Sequence, residues 1–134
     1  MAKKSGLAWS TLSVDDSGGT PRDIRNDITN LDISTPRAMQ ETTGIDVYGT
    51  ERLHLLADCV ITLNGVFNDA ADKSHSVFKD FGSGARTLAC AVSGQTLTPP
   101  TLLFDDYQLK RSDKGELLWS TKGMSADGTV AAWS

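Results

Sequence analysis

The feature that most constrains this chain is a run of alternating residues from Leu53 to Phe67. Every second position in it is apolar or glycine, and the positions between them are mixed. This period of two is typical of a β-strand with one buried face. The run predicts one continuous strand over 53–67, longer than an ordinary strand. The alternative is a hairpin that turns at Asn64-Gly65, because Asn-Gly favours a type I′ turn.

The period changes after this run. Val77, Phe78 and Phe81 have the i, i+1, i+4 spacing of a short helix with one apolar stripe, which Asp69 or Asp72 could cap. The apolar face of the strand and this stripe together predict the core, which consists of Leu55, Cys59, Ile61, Leu63, Phe67, Phe78 and Phe81.

Further strand patterns flank this unit on both sides. They are "LAWSTLSVDD", "TNLDIST", "ARTLACAV", "TLLFDDYQLKR" and "GELLWSTKG", the last two joined as a hairpin through "SDKG". One short helix cannot serve as the crossover for several parallel strands, so the pattern predicts antiparallel pairing. A chain of 134 residues fits a single domain over 1–134, with a C-terminal tail at about 123–134.

Residues 36–50, "PRAMQETTGIDVYGT", carry no strong period. They predict a long extended loop or a protruding hairpin. A segment of this length without a core of its own is usually functional or disordered, and here it favours a role in assembly.

Charge and composition exclude several functions. A net charge of −4 and a pI near 5.0 argue against tight wrapping of nucleic acid, which needs clustered Lys and Arg. The start of the chain has no apolar segment, so we expect no signal peptide and no membrane span, with folding in a bacterial-type cytosol. Cys59 and Cys90 lie in apolar strand patterns, which favours free buried thiols over a disulfide.

No residue pattern points to catalysis, a cofactor or a metal. His54 and His75 belong to no metal-ligand motif, and Cys59 lies on the apolar face of its strand. Asp105 and Asp106 are neighbours on a strand, so we expect their carboxylates on opposite faces. We therefore expect no catalytic, cofactor-binding or metal residues.

The stretch "LLADCVITLNGVFNDAADKSHSVFKDF" resembles the strand-to-helix core of tail tube proteins of long-tailed bacteriophages and gene transfer agents. Upstream, "LDISTPRAMQETTGIDVYGTERLHLL" is similar to the strand, long loop and returning strand of that family, so the likeness covers residues 28–125. One departure is Asp32-Ile33-Ser34-Thr35-Pro36, where the family often has Asp-Val-Thr-Thr.

The resemblance implies a mainly β fold, either an antiparallel β-sandwich or a small barrel with one short flanking helix. It further implies a structural, non-enzymatic virion protein that forms hexameric rings, which stack into a hollow tube. Such a tube surrounds the tape measure protein, meets tail terminator and distal tail proteins, and passes DNA without specific binding. The protein would be assembled in the cytoplasm of the bacterial host and would end in the virion tail, with no membrane partner.

Two sets of candidate residues follow from this resemblance. The mixed face of the long strand could line the lumen, and the candidates are Asp32, Asp58, Thr62 and Asn64. The unpatterned segment could join one ring to the next, and the candidates are Met39, Gln40, Glu41, Ile45 and Tyr48. The alternatives are an ordinary solvated face on a monomeric β-sandwich binding module, a capsid decoration or head-tail connector protein, and a small hydrolase.

Overall fold

The computed structural model describes residues 3–80 and 84–134. The strands in these ranges are β1 (Trp9–Asp15), β2 (Pro21–Asp23), β3 (Ile28–Ser34), β4 (Arg37–Glu41), β5 (Arg52–Ala57), β6 (Val60–Val66), β7 (Arg86–Val92), β8 (Gln95–Thr96), β9 (Thr101–Arg111) and β10 (Leu117–Ser125). The helix is α1 (Ser74–Phe78), and two 3-10 turns are η1 (Gly6–Ala8) and η2 (Arg25–Asp27). The C-terminal tail thus begins after Ser125, because 123–125 belong to β10.

Most of the strands form one antiparallel sheet in the order β2-β1-β7-β9-β10-β6-β3, with β8 beside β7. β7 pairs with β9 only where Arg86 and Thr87 face Leu102 and Thr101. The sheet therefore divides along this short line of pairing into two halves. Both halves contribute side chains to a single core, so the predicted antiparallel sandwich is confirmed.

The link between β2 and β3 shows how far the sheet curls. Five peptide steps from Asp23 to Ile28 span at most about 18 Å, whereas seven strands laid flat would span about 29 Å. The two outer strands must therefore approach each other. In the described residues β2 and β3 do not pair, so the sheet stays open and the small-barrel alternative is wrong.

The core is filled by alternate residues of the strands. β6 directs Ile61 and Leu63 inward, and β7 directs Leu88 and Cys90 inward from the opposite half. The other buried apolar residues are Leu12, Val14, Ile24, Cys59, Val77, Phe78, Leu97, Leu102, Phe104 and Trp119.

The predicted continuous strand over 53–67 is wrong, and so is its alternative, a turn at Asn64-Gly65. The chain leaves strand geometry at Asp58 and Cys59, so that β5 and β6 belong to different sheets. The Asp58 carboxylate accepts a hydrogen bond from the Cys59 amide at 2.8 Å. The Asp58 amide donates to the Pro36 carbonyl at 2.9 Å, which closes the base of the unit formed by β4 and β5.

Gly65 lies inside β6 for a steric reason. A Cβ atom at this position would lie 1.8 Å from the carbonyl oxygen of Asp27. This position therefore needs glycine, because the two backbones approach too closely to leave room for a side chain.

The helix is held at both ends by buried charged residues. Asp27, only 5% exposed, accepts hydrogen bonds from the Ser74 amide at 3.1 Å and from Asn68 Nδ2 at 2.8 Å. At the other end, the buried Arg86 guanidinium donates to the carbonyl of Val77 and, at 2.7 Å, to that of Asp80. A carboxylate at the N-terminus and a cation at the C-terminus also complement the helix dipole. The cap is therefore Asp27 from a distant segment, where the sequence suggested Asp69 or Asp72.

Two of the predicted core residues are not in the core. Leu55 lies on β5, outside the sandwich, and is 44% exposed, so its assignment was wrong. Phe67 follows the end of β6 and is only half-buried, with its ring 4.9 Å from that of His75. Phe81 lies outside the described residues.

We predict that Phe78→Ala strongly destabilises the subunit. The ring is buried and packs against Phe104 and Trp119, with centroids 5.2 and 5.3 Å away. Truncation of a buried Phe typically costs about 3–5 kcal/mol. Lys79→Ala, at the exposed next residue, is the matched control. Chemical denaturation gives the free energy of unfolding of both, and equal values would contradict the packing of α1 described here.

Candidate assembly interface

β4 and β5 form a two-stranded hairpin outside the sandwich. We call residues 37–57 the hairpin and residues 42–51 the hairpin tip. The Thr42 amide donates to the Glu51 carbonyl at 2.9 Å, and the Glu51 amide donates to Thr43 Oγ1 at 2.9 Å. These bonds order the entrance to the tip. Segment 36–50 was expected to be a long extended loop or a protruding hairpin. It is part of a hairpin, because it supplies β4 and most of the tip.

The hairpin carries apolar residues on both of its faces. The register places Gln40 opposite Leu53 on one face and Met39 opposite His54 on the other. The register shifts beyond this point, so Leu55 and Leu56 lie at a β-bulge where the alternation of faces is interrupted, and both are exposed. The exposed large apolar residues of the hairpin are Met39, Ile45, Val47, Tyr48, Leu53, Leu55 and Leu56.

This surface is a candidate interaction site. A small soluble monomer rarely leaves so many neighbouring apolar side chains in water. All the ring-contact candidates are exposed on it, namely Met39, Gln40, Glu41, Ile45 and Tyr48. Sequence reasoning placed Leu53 and Leu55 on the buried face of a strand, and it did not single out Leu56 on the mixed face. Leucine occurs at both odd and even positions of this short strand, and this pattern indicated that β5 does not have one buried and one exposed face.

Opposite the core, β3, β6, β10 and β9 present a polar face. One row across these strands runs Asp32, Thr62, Lys122 and Asp106, and the next runs Asn30, Asn64, Ser120 and Gln108. Three of the four lumen candidates, Asp32, Thr62 and Asn64, lie together on this polar face. The fourth, Asp58, lies beside it in the link before β6 and is exposed.

A β-bulge corrects the expectation for Asp105 and Asp106. The register of β9 and β10 shifts between Lys122 and Gly123, which pair with Asp106 and Phe104. Asp105 is therefore an extra residue, and both carboxylates line the same depression in the polar face beside Lys122. Sequence alternation alone could not show this, because a bulge interrupts the period of two.

The rest of the described chain offers little chemistry. Within residues 3–80 and 84–134, no group of three or more His, Cys, Asp or Glu could hold a metal ion. His75 Nδ1 lies 3.1 Å from the Tyr107 hydroxyl, and both are partly buried beside aromatic rings. This pair joins α1 to β9. In the same ranges, no helix has the length and apolar content needed to cross a membrane.

Comparison with solved structures identifies this fold. One similar chain is from the tail of an empty gene transfer agent particle, computed with helical refinement and C6 symmetry, with a TM-score of 0.77 and 16% identity. The match covers 98% of this chain and 99% of that chain. A second is from the virion of a native gene transfer agent particle, with a TM-score of 0.75, 15% identity and coverage of 98% and 99%. The resemblance to tail proteins of gene transfer agents is thereby confirmed at the level of the fold. Neither a protein-family model nor a curated protein matches the sequence.

We predict that both cysteines resist thiol reagents in the folded protein at pH 8. Both are free and buried. Burial raises the pKa of Cys59, and it raises that of Cys90 to about 11. A raised pKa lowers the fraction of the reactive thiolate. A chromogenic disulfide reagent should label neither thiol in buffer and both in guanidinium chloride. Rapid labelling of either in buffer would contradict their place in the core.

Proposed function

We propose that this chain is the subunit of a tail tube, built from hexameric rings that stack into a hollow cylinder through which DNA passes. The observation that carries this proposal is the hairpin, which exposes apolar residues on both faces and, within the described residues, pairs with no strand of the sandwich. A subunit of a stacked assembly would bury it against a neighbour. The fold shared with a gene transfer agent tail supports the same conclusion.

The free edges of the sheet suggest how one ring closes. In the described residues, β3 pairs only with β6, and β9 beyond Leu102 pairs only with β10. Joining β3 of one subunit to β9 of the next would continue the sheet and cover both edges. Such a head-to-tail contact forms a ring when its rotation closes. We propose six subunits because the similar tail has C6 symmetry.

In such a ring, the polar face would line the lumen. A wall bearing Asp32, Asp105 and Asp106 offers DNA carboxylates and neutral polar groups, with Lys122 as a cation among them. An acidic or neutral wall disfavours adhesion of phosphate. The tape measure protein would occupy the same channel before DNA does, and tail terminator and distal tail proteins would contact the two ends. The subunit would act in the virion tail without enzymatic activity, after assembly in the bacterial host cytoplasm.

The direct test of the function is polymerisation, and we predict that Leu53→Ser impairs it. Leu53 is 55% exposed, so the subunit should keep its stability. Complete burial of a leucine contributes about 1.5–3 kcal/mol, and about half of this side chain remains to be buried, so the substitution should raise the critical concentration for tube formation about four- to sixteenfold. Val130→Ser, at a residue 51% exposed in the C-terminal tail, is the matched control. Negative-stain microscopy and sedimentation measure both.

Purified protein that forms no tubes, alone or with its tail partners, would refute the proposed function. Knobs bound to capsids instead of tubes would indicate a decoration protein. If Leu53→Ser formed tubes at the normal critical concentration, the hairpin would not be part of the interface.

We further predict that Asp32→Lys leaves rings intact but slows passage of DNA. Asp32 is exposed on the polar face, so its replacement should not affect folding. Each added Lys could release about one counterion when it contacts a phosphate, so DNA would adhere to the wall. Ejection should be slow at low salt and recover at high salt. Asp113→Lys, in the turn between β9 and β10, is the control. Normal ejection at low salt would place Asp32 outside the lumen.

A further inference from the structure

A groove of about 570 Å³ lies between η1 and the start of β3. Its lining combines apolar and polar side chains, among them Leu7, Trp9, Ile28, Thr29, Arg25 and Lys73. Leu7, at its rim, is 95% exposed, and burial of this side chain against a partner would be favourable. The groove and its apolar rim therefore provide a surface on which another protein segment could dock.

The groove and the hairpin lie at opposite ends of the same strand. Ile28–Leu31, at the start of β3, line the groove, whereas the hairpin follows the end of β3 at Ser34. Seven strand residues extend about 20 Å or slightly more. All residues of the hairpin except Thr43 and Ala57 are exposed, so the hairpin projects from the described part of its subunit. A subunit thus projects a hairpin at one end and has an unfilled groove at the other.

The hairpin tip and the groove are complementary in charge and polarity. The tip contains Asp46 and Glu51 and no basic residue, and its Ile45 and Tyr48 are fully exposed. The groove is lined by Arg25, Asp23 and Lys73. The Arg25 guanidinium lies 3.7 Å from the Asp23 carboxylate and donates to the Ser10 carbonyl, so Lys73 supplies the net positive charge of the groove. Opposite charges around an apolar contact favour one orientation of docking.

We infer that this groove receives the hairpin tip of a second copy of the chain, from the neighbouring ring. The inference rests on the proposed tube function and identifies the receiving surface of the ring-to-ring contact. Because the two surfaces differ, the contact is heterologous and can repeat without limit along the tube axis. A self-complementary contact between hairpins would instead stop at pairs of rings.

Site-specific cross-linking tests this contact in assembled tubes. We pair Ile45→Cys in the tip with Thr29→Cys in the groove, and treat the tubes with a short bismaleimide. Thr29 is exposed, and the native cysteines are buried and should not react. The expected result is a ladder of covalent oligomers on a denaturing gel. The matched control pairs Ile45→Cys with Thr98→Cys, an exposed threonine outside the groove, and should give no ladder.

Tubes without a ladder, or with an equal ladder in the control, would overturn the groove assignment and leave the tube function intact. Failure of the unsubstituted chain to form tubes would overturn both. A charge exchange covers the case in which the cysteine variants do not assemble. Asp46→Lys and Lys73→Asp should each weaken tube formation at low salt, and the two together in one chain should restore it. Loss in both single variants without restoration would contradict the contact.

Discussion

The assembly proposed for this chain depends on a two-stranded sheet that has no core of its own. β4 and β5 pair with each other and with no other strand of the described chain. An isolated hairpin is at best marginally stable in water, because two strands bury too little apolar surface to offset the loss of chain entropy. In the described subunit, the leucine side chains of β5 stay exposed to solvent and are not buried in a core. We therefore propose that a second molecule stabilises the hairpin, and this proposal links the fold to assembly.

The sandwich supplies what the hairpin lacks. The bond from the Asp58 amide to the Pro36 carbonyl ties both ends of the hairpin to the same point of the sheet. Beyond that point, β3 and β6 continue side by side into the core, so the base of the hairpin is fixed although its tip is free. Asp27 and Arg86 hold α1 against the core and close the sandwich beside it. A rigid body with one projecting element is well suited to stacking.

The sequence revealed the sandwich more readily than the interface. Alternation in β6 predicted which of its faces is buried, and β1 and β7 were predicted as strands. The hairpin of β9 and β10 was evident from its turn residues, with Gly115 at a φ of 90°. The break at Asp58 escaped prediction because the apolar alternation continues across it without a change of parity. At the break, the Asp58 amide bonds to the distant Pro36 carbonyl, a contact that no local pattern records. The alternative turn at Asn64-Gly65 was wrong for a similar reason. Glycine is needed there because the Asp27 carbonyl, which is distant in sequence, lies too close for a side chain.

Hydrogen exchange measured on free subunits and on assembled tubes tests the central claim most directly. If the hairpin is ordered by a neighbour, amides of β4 and β5 should exchange rapidly in the free subunit and slowly in the tube. Amides of β6, in the core sheet, should be protected in both. Equal protection of β4 and β5 in the two states would contradict the claim that assembly stabilises the hairpin.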